Sequence, residues 1–117
     1  MRIDKLTNLL NELWKKTHSQ VLEWDRVGDA FMVSFPDYAV SVWKDALEPA
    51  YKVQIWDKNG NLVDEVTLTE KQHGGQECYI RVAQVFALAG HQLHPKVGED
   101  KVNEAVDTIL RELQRVG

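Results

Sequence analysis

The chain has 117 residues, 44% hydrophobic and 27% charged, enough to bury a core without disulfide or metal support and too apolar for a disordered tail. Its formal charge of −4 and 14 scattered basic residues, with Lys15-Lys16 the one adjacent pair, speak against generic binding to a phosphate backbone. The single cysteine, Cys78, excludes an internal disulfide and gives no sign of an oxidising compartment.

The opening segment, MRIDKLTNLLNELWKK, is too polar for a signal-peptide core. No apolar run approaches the roughly 20 residues that cross a bilayer, so no membrane partner and a cytoplasmic location are expected. From Ile3 to Trp14 the residues Ile3, Leu6, Leu9, Leu10, Leu13 and Trp14 form one stripe at helical period, opposite Lys5, Asn8, Glu12 and Lys15. That spacing predicts an amphipathic first helix.

Between Val21 and Leu68 the pattern changes to strands. VLEWDR, AFMVSF, YAVSVWK, YKVQIWD and NLVDEVTL are short, rich in β-branched and aromatic residues, and divided by VGD, PD, DALEPA and KNG. Asn59-Gly60 predicts a tight hairpin turn, with positive φ at both residues, between the last two strands. The expected result is an antiparallel meander of four or five strands.

Alternation gives that sheet two faces. Trp24, Phe31, Val33, Phe35, Val40, Val42, Tyr51, Val53, Ile55, Val66 and Leu68 form the core face. Glu23, Met32, Ser34, Ser41, Trp43, Lys52, Gln54, Trp56 and Glu65 form the other. Met32, Trp43 and Trp56 are too apolar for a fully solvated surface, which makes Met32, Trp43, Lys52, Gln54 and Trp56 the candidate interface.

A second helix is expected from Gln76 to Ala89, apolar almost all round except for Glu77, Arg81 and Gln84, and ended by Gly90. A third runs from about Glu99 to Arg115, with Val102, Ala105, Val106, Ile109, Leu110 and Leu113 as its stripe. The reading is one α+β domain over residues 1–117. An N-terminal helix leads into the meander, and two C-terminal helices pack on one sheet face.

His73, Cys78, His91 and His94 suggest scattered metal ligands, but the helix keeps them apart. Thirteen helical residues put Cys78 and His91 roughly 20 Å apart, whereas zinc ligands converge within about 2.3 Å of one ion. Cys78 is therefore expected in the core. His91 and His94 are expected near the helix end, and His73 in an exposed loop. DKNGNLVDE lacks the sixth-position glycine and twelfth-position glutamate of a calcium loop.

His73-Gly74-Gly75 lacks the length and the lysine of a phosphate loop. Ser19, Ser34 and Ser41 sit outside any nucleophile elbow, and the carboxylates are scattered. No catalytic residues, cofactor or metal are expected, and the chain is read as a non-enzyme.

Thr17, Trp24-Asp25, the hairpin strand Tyr51 to Asp57 with Gly60, and Ala83 to Ala89 together resemble a family of small uncharacterised bacterial α+β proteins. That family has a leading helix, a tryptophan-acidic strand, a Y-x-L-x-I-x-D-x-x-G hairpin and two closing helices. The glycine that usually precedes the tryptophan strand is missing from HSQVLEW. The resemblance implies a fold and no activity. The functional expectation is a small domain acting through protein contact or self-association. The alternative is a binding module for single-stranded nucleic acid or a planar ligand, stacking on the sheet aromatics, though the shortage of positive charge counts against nucleic acid.

Overall fold

The structure, a computed structural model, describes residues 1–93 and 97–116, and side-chain surroundings for 1–93 and 104–115. The elements run α1 (Ile3–His18), β1 (Asp25–Val27), β2 (Ala30–Ser34), β3 (Tyr38–Lys44), β4 (Ala50–Asp57), β5 (Leu62–Thr69), α2 (Glu70–His73), α3 (Glu77–Leu93) and α4 (Val97–Val116). The strands form one antiparallel sheet in the order β1-β2-β3-β4-β5, so the α+β meander expected from alternation is the observed architecture.

The core face packs against α1 and α3. Leu6, Leu10 and Leu13 of α1 meet Val82, Val85 and Ala89 of α3 and the sheet residues Phe31, Val33, Val42, Val53 and Leu68. Cys78 is buried among them at 1% exposure. Polar bonds fix the two helices: Arg81 Nε donates to Asn11 Oδ1 at 2.8 Å, and Asn11 Nδ2 donates to Glu77 Oε1 at 3.2 Å. Arg81 also stacks its guanidinium 4.4 Å from the centre of the Trp14 ring, a cation–π contact. Trp14 is consequently a half-buried stacking partner and not a central core residue.

Several boundaries differ from the sequence pattern. The segment from Val21 yields only a three-residue β1, because α1 continues to His18 and the chain then turns through Gln20 at φ 63°. Phe35 lies beyond the end of β2 and is exposed at 43%. The β4–β5 connection is a four-residue loop, with positive φ at Gly60 but not at Asn59. Asp57 organises this loop by accepting the backbone N–H groups of Asn59 and Asn61, each at 2.9 Å.

The loop expected at His73 instead begins with the short helix α2, capped by the Thr69 hydroxyl. His73 is half-buried there, its Nδ1 accepting the Thr69 N–H at 3.2 Å. Gly90 does not end α3, which runs on to Leu93. A Cβ at Gly90 would sit 3.4 Å from the Phe31 ring, so this glycine accommodates a close helix–sheet contact. His91 accordingly lies in the last turn of α3, and His94 falls outside the described residues. The helix α4 is amphipathic as expected, yet every residue from Glu104 to Arg115 is exposed.

Candidate functional site

The outer sheet face is built from register. Met32 pairs with Ser41, Ser41 with Gln54, and Gln54 with Glu65, giving one row across four strands. The neighbouring row is Ala30, Trp43, Lys52 and Thr67, while Trp56 lies opposite Ala39. All five candidate interface residues (Met32, Trp43, Lys52, Gln54 and Trp56) therefore share this face, and each is half-buried. Helices α1 and α3 lie on the opposite face.

A directional chain of polar contacts runs across it. Trp56 Nε1 donates to Ser41 Oγ at 2.9 Å, and Ser41 donates to Gln54 Oε1 at 3.1 Å. Gln54 Nε2 then donates to Glu65 Oε2 at 3.1 Å, while Glu65 Oε1 pairs with Lys52 Nζ at 3.2 Å. Lys52 closes the chain by lying 5.3 Å from the centre of the Trp43 ring. Each donor polarises the next, and both indoles are held in place. The Gln54 hydrogen bond, followed by the one from Lys52, keeps the Glu65 carboxyl below its ordinary pKa.

Ser41 and Glu65 were on this face by alternation but carried no role in the sequence. Ser41 is 2% exposed and connects the indole to the amide. Its signal was its register, with a serine opposite a glutamine that is itself opposite a glutamate. The arrangement suits contact with a flat apolar surface. It suits anion binding less, because the Lys52 charge is already answered by Glu65 and the Trp56 N–H is already used.

No family model, curated protein or solved structure matches this chain.

A second feature lies at the far end of α1 and α3. A cleft of about 730 Å³ is lined by Thr17, His18, Glu23, Trp24, Asp25 and His91, among others. The backbone beside it is held by Gln92, which accepts the Trp24 N–H at 2.7 Å and donates to the Leu22 carbonyl at 2.6 Å. Sequence reasoning missed this clamp. Among the described residues no ion pair joins the cleft's imidazoles and carboxylates. Among the described residues no three His, Cys, Asp or Glu side chains are grouped as metal ligands. No described helix is long and apolar enough to cross a membrane.

Proposed function

We propose that this domain acts by protein–protein contact, self-association included, rather than by catalysis, and that the outer sheet face is its contact surface. The observation that carries the reading is the aromatic pair Trp43 and Trp56. Both are half-exposed on a face away from the packed helices, yet held in fixed positions by Lys52 and Ser41. Preorganised aromatics lose little conformational freedom on association and are frequent anchors of protein interfaces.

The sheet edges are poorer candidates. β1 has three residues, and β5 carries a register shift opposite Ile55 and Trp56, features that discourage edge pairing. Light scattering coupled to size exclusion, at low micromolar concentration, tests the self-association form of the proposal. Trp43→Ala or Trp56→Ala is expected to shift the chain toward monomer. A monomer at every concentration, or a mass unchanged by both substitutions, removes the outer face as a self-association surface.

A further inference from the structure

The helix α2 has four residues, none of them buried, and a helix so short depends on bonds at its ends. Its first end is closed reciprocally. The Thr69 hydroxyl accepts the Gln72 N–H at 3.2 Å, and His73 Nδ1 reaches back to accept the Thr69 N–H, also at 3.2 Å. This is a capping box in which an imidazole replaces the usual glutamate or glutamine acceptor.

The same residue governs the exit. The His73 carbonyl accepts the Gln76 N–H at 2.8 Å, immediately ahead of α3. The Glu70 N–H donates to the Pro49 carbonyl at 2.9 Å, which ties α2 to the segment entering β4. Thr69 itself pairs with Ala50 at the end of the sheet. His73 therefore stands in a connector that joins β5, β4 and α3.

The choice of imidazole matters because of what a proton does to it. A neutral imidazole has one accepting nitrogen, and here it is used on the Thr69 N–H. An imidazolium has two N–H donors and no acceptor, so protonation sets two N–H groups against each other. The charged groups of the surrounding elements do not compensate. They are Glu70 and Lys71 on α2, Glu48 beside Pro49, and Glu77 in the first turn of α3. Among the described residues none makes an ion pair with His73. Tyr79, whose hydroxyl donates to the Pro49 carbonyl at 3.3 Å, carries no charge near neutral pH.

We infer that the Thr69–His73 contact is a pH-sensitive latch, closed by the neutral imidazole and released when His73 takes up a proton. Histidine is the side chain whose charge ordinarily changes between about pH 5 and 8, above the range in which carboxylates are protonated. What opens is local. The connector from β5 to α3 loosens, while the strands and the packed helices keep their bonds.

Amide hydrogen exchange of the full chain tests the latch, read as protection factors so that the intrinsic pH dependence of exchange is removed. The two conditions are about pH 7.5 and about pH 5.5, on either side of ordinary histidine ionisation. The Thr69 and Gln72 amides should lose about fivefold in protection at the lower pH, the scale of one internal hydrogen bond. Those of Val42 and Val53, paired in the middle of the sheet, should keep theirs. In His73→Asn the Oδ1 atom takes the place of Nδ1 and accepts at either pH. Its Thr69 protection should match the parent at the higher pH and stay there at the lower. His73→Ala should be poorly protected at both.

Nitrogen NMR shifts of the imidazole give an independent check, since His73 should carry its proton on Nε2 at the higher pH. A proton on Nδ1 there overturns the latch, as does parent protection that is equal at the two pH values. A pH dependence that persists in His73→Asn or His73→Ala assigns the effect to another group and also overturns it. So does equal protection in the two variants at the higher pH, which removes the acceptor role. Loss at Val42 and Val53 as large as that at Thr69 means general unfolding and no latch.

Discussion

The indole N–H of Trp24, just ahead of β1, donates to the hydroxyl of Thr17 in α1 at 2.9 Å, and both residues are buried. The bond ties the end of the first helix to the start of the sheet. It also satisfies the one polar atom of a tryptophan that is otherwise 2% exposed. Thr17→Val keeps the shape but strands the indole N–H. We expect a loss of about 1–3 kcal/mol, the usual cost of a buried donor left without a partner. Urea unfolding of Thr17→Val and Thr17→Ser measures it, with serine retaining most of the stability. Equal losses for the two variants would show that the hydroxyl is not what matters.

Ser41 makes a comparable connection on the outer face, accepting from Trp56 and donating to Gln54. Ser41→Ala is expected to cost about 1 kcal/mol, the net worth of a typical internal hydrogen bond. It should also free the Trp56 ring. Acrylamide quenching of tryptophan fluorescence should increase in Ser41→Ala relative to the parent. No change would mean that the indole is positioned by packing alone.

The sheet was legible because strand burial repeats every two residues, and that period survives in isolated sequence. The pairing of Gln92 with Leu22 and Trp24 was not, since its partners lie about 70 positions away and a single polar residue gives no periodic signal. Gly90 misled for a different reason. A glycine after an apolar run signals a helix end by conformational freedom, but here it provides space for Phe31. The α4 stripe shows a further limit: spacing reveals an amphipathic face and says nothing of what lies against it. Alternation put the candidate interface residues and Ser41 on one face, as the register shows, while the connecting role of Ser41 needed the register and its bonds to Trp56 and Gln54.

The two roles of glycine at position 90 predict opposite outcomes for Gly90→Ala. A helix-ending glycine with positive φ would lose stability on gaining a Cβ. In the observed helix interior the Cβ stands 3.4 Å from Phe31, and alanine favours the helix by up to about 1 kcal/mol over glycine. Thermal unfolding of Gly90→Ala should therefore show equal or higher stability. Gly90→Leu should be clearly destabilised, because its larger side chain has to displace the Phe31 ring. Destabilisation by alanine as large as that by leucine would reject the interior reading.

Acid should weaken the fold through Glu65 and Asp57. The carboxyl of Glu65 is held below its ordinary pKa by Gln54 and Lys52. That of Asp57 is lowered chiefly by the Asn61 backbone N–H, with further help from Asn59. A carboxyl whose folded pKa is depressed contributes its full stability above the unfolded value, about 4.3 for Glu and 3.9 for Asp. That contribution is lost as pH falls through the folded value. Glu65 is exposed and Asp57 half-buried at the end of β4, so each effect is modest and screened by salt. Urea midpoints should fall as pH decreases below about 4.3, and Glu65→Gln should flatten part of that slope, because glutamine has no proton to take up. In the same titration Glu65→Gln should also loosen Lys52 from Trp43, visible as a change in tryptophan emission at neutral pH. A slope and an emission spectrum both unchanged by Glu65→Gln would mean that the Lys52–Glu65–Gln54 contacts contribute nothing in solution.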